Sequence, residues 1–208
     1  LGLPVHTSYG STEAASQVTT TDANDNPKNL RSSGKVLKYR QIMIGSSSEI
    51  LIKGETLCKG YLDKKTVKPV VKQNGWFHTG DIGKIDKHQY LTVLGRKDLM
   101  FQSGGENIYP EKIEKAIENF ELIEKAIVVP IVDEEFGMRP VAFIKMRKKR
   151  KINAEALNKI LVTLLPNYEI PDAYLEMPEF ARSESDYADR KLFKASAEEK
   201  LLHTKMNN

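Results

Sequence analysis

The sequence predicts an α+β protein: a small β-barrel-like subdomain, then a compact C-terminal α+β domain with a short sheet flanked by helices. Two observations predict it. Short β-like runs separated by glycines fill the first half of the 208-residue chain, the pattern of a small barrel or meander. After Asp98 the pattern changes to amphipathic helices alternating with longer apolar runs. That change places a domain boundary near residues 96 to 98 and divides the chain into 1–97 and 98–208.

The elements follow in order. "TDANDNPKNLRSS", residues 21 to 33, is polar and rich in turn formers, hence a loop. Three β-like runs come next: "YRQIMIG", "EILIKG" and "LCKGYL". Ile50 and Ile52 alternate with their neighbours, and Gly45, Gly54 and Gly60 punctuate the runs. "GKIDKHQYLTVLG" reads as a hairpin turning through "DKHQ". Pro110 suits a first helical turn, and Ile113, Ile117 and Phe120 share one face behind it. "IEKAIVVPIV" and "PVAFIKM" read as strands. "NAEALNKILVTLLP" reads as a helix capped by Asn153 and ended by Pro166, with an apolar stripe of Leu157, Ile160, Leu161 and Leu164. "DAYLEM" is a short strand, and residues 189 to 203 form a last helix. There are no internal repeats.

Composition narrows the function classes. Hydrophobic residues make up 40% and charged residues 29%, as in ordinary soluble globular proteins. No apolar stretch approaches the roughly 20 residues that span a bilayer, and no charged-then-apolar leader opens the chain. Cys58 is the single cysteine, so no internal disulfide forms, which fits a reducing, cytoplasmic setting. A net charge of +4 permits anionic small ligands without demanding nucleic acid. The basic run "KMRKKRK", residues 145 to 151, is either a phosphate or nucleic-acid contact or a solvated loop, the commoner fate of such runs. The chain opens without Met and reaches a motif almost at once, which reads as part of a longer chain.

Four segments carry chemistry. In "SYGSTEAASQ", residues 8 to 17, Tyr9-Gly10 lets backbone approach a ligand closely. Thr12 can donate to a phosphate, and Glu13 can reach a hard cation that travels with phosphates, such as Mg²⁺. The alternative is a plain turn. In "NGWFHTGDIG", residues 74 to 83, Asp81 is expected in a polar turn, where its carboxylate can accept from both hydroxyls of a ribose or form an Asx turn. In "GRKDLMFQSGGENIYPEKIE", residues 95 to 114, Arg96 presents a rigid fork to ribose or phosphate oxygens. Gly104-Gly105 there allow close backbone contact or a strained turn, with Glu106 and Asn107 near the bend. The alternative is a hairpin and helix cap without a ligand. The fourth segment is "ARSESDYADRKLFK", residues 181 to 194.

In this order and spacing the segments resemble the acyl-adenylate-forming (AMP-binding) ligases. "YGSTE" matches the Tyr-Gly-x-Thr-Glu signature of that superfamily and "WFHTGD" its Trp-Phe-x-Thr-Gly-Asp signature. "GRKD" followed by "SGGENIYPEKIE" matches Gly-Arg-x-Asp and the glycine-rich turn into a helix. The resemblance covers nearly the whole chain. "YGSTEAASQ", "SGGENIYPEKIE" and "FGMRPVAF" look most like the o-succinylbenzoate–CoA ligases of menaquinone synthesis. "SGGENIYP" also occurs in general fatty or aromatic acyl-CoA synthetases, which stay as an alternative.

The resemblance implies an acid–thiol ligase. A carboxylic acid attacks the α-phosphate of ATP to give acyl-AMP, and coenzyme A then displaces AMP to give the thioester. It implies that Tyr9 packs by the adenine, Thr12 meets the α-phosphate, Glu13 holds Mg²⁺, and Asp81 and Arg96 hold the ribose hydroxyls. It implies a hinge at Asp98, about which the C-terminal domain rotates between the two steps. Ser103, Gly104, Gly105 and Glu106 would then line the pantetheine tunnel. The phosphate loop and most of the acyl pocket of the family lie upstream of the Tyr-Gly motif and outside this chain, so the chain alone is not expected to complete the reaction.

One departure stands out. The last motif of the family runs Arg-Thr-x-x-Gly-Lys-x-x-Arg. Residues 182 to 190, "RSESDYADR", match both ends without a gap, Arg182-Ser183 and Arg190. That puts Asp186 at the glycine and Tyr187 at the lysine. The family's lysine neutralises charge that builds during adenylation. Tyrosine is neutral below about pH 10 and offers one hydroxyl donor. Two expectations follow: a ligase weak in adenylation, or a non-catalytic homologue that binds nucleotide, acyl-CoA or a protein. A shifted register, with Lys191 or Lys194 in the role, is the remaining option.

Overall fold

A computed structural model describes residues 5–72, 74–148, 152–181 and 189–206. It divides into two compact units, Leu1–Asp98 and Leu99–Asn208, and the fold is a mixture of sheets and helices. Arg182, Ser183, Asp186 and Tyr187 lie outside the described residues, as do residues 149–151 of the basic run. Within that run Lys145 pairs with Glu124 at 2.7 Å.

Among the described residues the first unit holds nine strands: β1 (Ser8–Ser11), β2 (Ser16–Thr20), β3 (Lys35–Val36), β4 (Arg40–Ile44), β5 (Glu49–Gly54), β6 (Gly60–Asp63), β7 (Thr66–Pro69), β8 (Phe77–Ile85) and β9 (Leu91–Arg96). They form a sheet β1-β2-β3, a sheet β4-β5-β8-β9 and a hairpin β6-β7. Ile50 and Ile52 point one way from β5, as their spacing predicts. There they join Ala14, Val18, Phe77 and Leu91 in one apolar cluster. Leu51, on the opposite face, is buried as well, packed so closely on Gly45 that a Cβ there would lie 2.9 Å from its Cδ1.

The second unit begins with a small hairpin, β10 (Phe101–Ser103) and β11 (Glu106–Ile108), and continues into helix α1 (Pro110–Glu118). The long hairpin β12 (Ile123–Asp133) and β13 (Gly137–Met146) follows, then α2 (Ala154–Leu161), β14 (Ala173–Glu176) and α3 (Arg190–Met206). β14 lies parallel to β13. A parallel return needs a crossover, and the segment containing α2 supplies it. The alternation of β12 and β13 sorts the core into two layers. Ala126, Val128, Ala142 and Ile144 face α1 and α2, with Ile113, Ile117, Leu157 and Leu161. Ile127, Val129, Val141 and Phe143 face α3, with Phe193 and Ala197. Phe193 meets Phe143 edge-on at 5.2 Å between ring centres, and burying rings of this size contributes about 1.5–3 kcal/mol each.

Helix α2 departs from the expected stripe. Asn153 caps it, accepting the Ala156 N–H at 3.0 Å, but the helix ends at Leu161 rather than near Pro166. The chain then changes phase. Ile160 and Leu164 are about half exposed (47% and 54%), and Leu165 takes the buried place after Leu157 and Leu161.

Candidate functional site

The site residues of the first unit gather around one strand pair. Asp81 lies inside β8, not in the polar turn expected for it. Its Cα partner across the sheet is Arg96, the last residue of β9. The pairing of these two strands therefore brings together two motifs far apart in sequence. Arg96 Nη1 donates to Asp81 Oδ1 at 3.2 Å and to the Thr79 carbonyl at 3.2 Å. Arg96 Nε donates to Asp98 at 3.0 Å. Gly80, at φ +74°, makes room for this guanidinium: a Cβ there would stand 3.1 Å from Arg96 Nη2.

Tyr9 completes the cluster. Its hydroxyl donates to Asp81 Oδ2 at 2.6 Å, which ties β1 to β8. Burial, reinforced by the Asp81 carboxylate, pushes the phenol above its ordinary range, so it stays a donor. Thr79 sets the backbone: its hydroxyl donates to the Ile50 carbonyl at 2.8 Å and accepts the Asp81 N–H at 3.0 Å. Asp81 thus presents a half-buried carboxylate with one protein donor on each oxygen. A carboxylate has about four lone-pair sites, so it can still accept from two hydroxyls.

Behind the Thr-Gly-Asp segment stands a buttress that sequence reasoning missed. Glu49, 8% exposed, accepts the Gly80 N–H at 3.2 Å and meets His78 and Lys97 at 3.3 Å each. Burial pushes this carboxyl up, but His78, Lys97 and the Gly80 amide outweigh it and hold it below the ordinary carboxylate range.

The Tyr-Gly-x-Thr-Glu segment runs from β1 into a short 3-10 turn, Thr12–Ala14. Thr12 is exposed. Gly10 has an internal reason for being glycine, because a Cβ there would fall 1.8 Å from the Ser16 carbonyl of β2. The Tyr61 hydroxyl donates to Glu13 and is the main cause holding Glu13 below its ordinary range. Tyr61 had no mark in the sequence beyond its place in the β-like run "LCKGYL". Among the described residues no group of three or more His, Cys, Asp or Glu is gathered as metal ligands. Magnesium keeps several waters and is commonly held by one or two carboxylates plus substrate phosphates. A lone Glu13 therefore fits a cation that arrives on a nucleotide and does not fit a resident one.

In the second unit, Gly104 and Gly105 form the two-residue turn of the β10–β11 hairpin, and Glu106 opens β11. Gly104, Gly105 and Glu106 are exposed, while Ser103 is buried at 1% exposure. Arg190, the last residue of the "RSESDYADR" segment, is committed to the core. It forks onto Glu114 of α1 at 2.5 and 3.0 Å and donates to the Val128 carbonyl at 2.8 Å. Lys191 is exposed, and Lys194 lies 4.0 Å from Glu198 one turn along the same helix.

No family model matches the chain. Individual proteins do. The chain is 36% identical over 193 residues to 2-succinylbenzoate–CoA ligase of a Geobacillus species, covering 88% of this chain and 39% of that protein. It is 40% identical over 171 residues to the enzyme of that name from Listeria innocua, covering 81% and 36%. Among solved structures it resembles o-succinylbenzoate CoA synthetase of Bacillus subtilis in complex with the acyl-adenylate intermediate OSB-AMP. The TM-score there is 0.78 at 31% identity, over 89% of this chain and 40% of that one. The same enzyme in complex with ATP and magnesium ion gives 0.77. The chain spans about two fifths of the length of these relatives. In sequence and in fold, the chain belongs to the AMP-binding, acyl-adenylate-forming ligases, as a relative of the 2-succinylbenzoate–CoA ligases.

Proposed function

We propose that the protein containing this chain is an ATP-dependent ligase that converts 2-succinylbenzoate to its acyl-AMP and then to the CoA thioester, in the cytoplasm. The carrying observation is the Tyr9–Asp81–Arg96 cluster: a carboxylate fixed by strand register, with spare acceptor capacity for a ribose diol. Asp81 would accept from the two ribose hydroxyls while Arg96 steadies it. Tyr9 would pack beside the adenine. Thr12 and Glu13, on the turn that follows β1, would meet the α-phosphate and its magnesium ion. The solved complexes of the Bacillus subtilis relative with OSB-AMP and with ATP and magnesium support these ligands. No helix among the described residues is long and apolar enough to cross a membrane.

The first unit would be the end of a larger nucleotide-binding domain with a barrel-like subdomain. The second would be a mobile domain hinged at Asp98, where Arg96 holds the aspartate in one orientation by an ion pair at 3.0 Å. A hinge there would let one domain serve two steps. Ser103 to Glu106 would line the path of the pantetheine arm.

Tyr187 favours a second feature: adenylation much weaker than the thioester step. The core anchoring of Arg190 supports the ungapped register that puts tyrosine at the lysine position. Losing one such electrostatic contact typically costs about two to three powers of ten in rate. The test uses the full-length protein with ATP, 2-succinylbenzoate and labelled pyrophosphate, and separately with CoA and supplied 2-succinylbenzoyl-AMP. Slow exchange with clear thioester formation is expected. Exchange at ordinary ligase rates would refute the lysine argument. Failure of both reactions, with nucleotide still bound, would favour a non-catalytic binding homologue.

A further inference from the structure

The β10–β11 hairpin cannot fix its own position. It has three residue pairs, and an isolated two-stranded hairpin is marginal in water at best. Its tip, Gly104-Gly105, has φ of 57° and 86°, the doubly left-handed turn of tight hairpins. Phe101 and Ile108 anchor its open end in the core, and its tip is held by the turn between β12 and β13. The Gly104 N–H donates to the Phe136 carbonyl at 2.9 Å. A Cβ on Gly104 would lie 3.2 Å from Phe136 Cδ1, so the tip rests on that ring. Phe136 is itself fixed: Asp133 Oδ1 accepts the N–H groups of Glu135 and Phe136 at 3.0 and 2.8 Å.

Arg139 joins these parts. Its guanidinium stands 5.6 Å from the centre of the Phe136 ring. It forks onto Asp172 at 2.6 to 3.1 Å. It donates to the carbonyls of Tyr168 at 3.0 Å and Ile170 at 3.3 Å. Its weakest contact, at 3.5 Å, is the hydroxyl of buried Ser103, the residue that enters the Gly104-Gly105 turn. One side chain thus ties the strand entering the hairpin tip, the turn under that tip and the segment leading into β14. A lysine cannot replace it, since a single ammonium lacks the planar fork.

We propose that Arg139, acting through Phe136 and Ser103, is a positioning residue that presents the Gly104–Glu106 tip for the thioester-forming step. The proposal rests on the ligase reading above. A displacement near 1 Å can cost about a hundredfold in rate when it misaligns reacting groups, so a loosened tip should slow transfer to CoA without weakening the grip on acyl-AMP.

The test compares wild type, Arg139→Lys and Arg139→Ala in the full-length protein. Three quantities are read: hydrogen exchange of the Gly104 amide against that of Val128 in β12, the rate of CoA thioester formation from supplied 2-succinylbenzoyl-AMP, and the Kd for that acyl-AMP. In Arg139→Lys the Gly104 amide should exchange at least about tenfold faster with Val128 unchanged. Thioester formation should fall about tenfold, with Kd within about twofold. Unchanged exchange at Gly104 overturns the clamp. Equal acceleration at Gly104 and Val128 overturns it too, by showing only general loosening. Faster hairpin exchange with an unaltered thioester rate overturns the positioning role. If the wild type makes no thioester, the ligase reading fails instead, and the exchange comparison still decides the clamp.

Discussion

Replacing Arg190 with methionine should remove a large part of the stability of the second unit. The guanidinium sits against Glu114, whose side chain is 7% exposed, and is itself 18% exposed. Methionine fills similar volume but leaves the carboxylate buried with one remaining donor, the Val128 N–H at 2.7 Å. Breaking a buried pair by removing one partner costs about 3–5 kcal/mol, against about 5–15 kcal/mol for a whole domain. With a urea slope of about 2 kcal/mol per molar, the unfolding midpoint should drop by about 2 M. The assay is urea unfolding followed by circular dichroism, with Arg190→Met/Glu114→Gln as the companion. The glutamine carbonyl can still accept the Val128 N–H, but no charge is stranded, so at least half of the loss should return. A loss under about 1 kcal/mol in the single variant, or no recovery in the double, would refute the reasoning. It would also weaken the claim that Arg190 pins the register of the final motif.

Tyr187→Lys in the full-length protein should raise ATP–pyrophosphate exchange by about two to three powers of ten, and no gain would mean that other parts of the adenylation site are missing. Gly80→Ala should cost about 1–3 kcal/mol for a left-handed backbone and crowd Arg96, so acyl-AMP affinity should fall in step; wild-type affinity would contradict the geometry. Tyr61→Phe removes the main cause holding Glu13 below its ordinary value of 4.5, so its titration, followed by NMR, should move upward. The sign follows: a depressed carboxyl stabilises the fold above its unfolded pKa, and this is lost as pH falls through the folded value. The variant should therefore lose less stability on acidification, and an unmoved titration would contradict the assignment.

Much of the fold was legible because single elements carry their own marks. Pro110 with Ile113 and Ile117 announced α1, and the apolar runs "IEKAIVVPIV" and "PVAFIKM" announced β12 and β13, while the two core layers they separate appear only in the fold. Helix α2 shows where this stops. Leu164 continues the periodicity, but the helix unwinds after Leu161 and the buried place passes to Leu165, an outcome set by packing. The site was partly legible for a related reason. Tyr9, Thr12, Asp81 and Arg96 stand out by type and motif, yet Asp81 looked like a turn residue because Thr79 and Gly80 precede it. Only strand pairing reveals that it faces Arg96. Glu49 was invisible, since a carboxylate at the start of a strand reads as solvent-facing until His78, Lys97 and the Gly80 amide are seen around it.

The central claim is that Asp81 grips the ribose of an adenylate. Calorimetric titration of 2-succinylbenzoyl-AMP into the full-length protein, wild type against Asp81→Asn, tests it most directly. Two hydrogen bonds to a charged acceptor contribute about 3 kcal/mol or more in total, so the account predicts an affinity loss of about a hundredfold. Affinity within twofold of wild type, in a variant that melts normally, would contradict it.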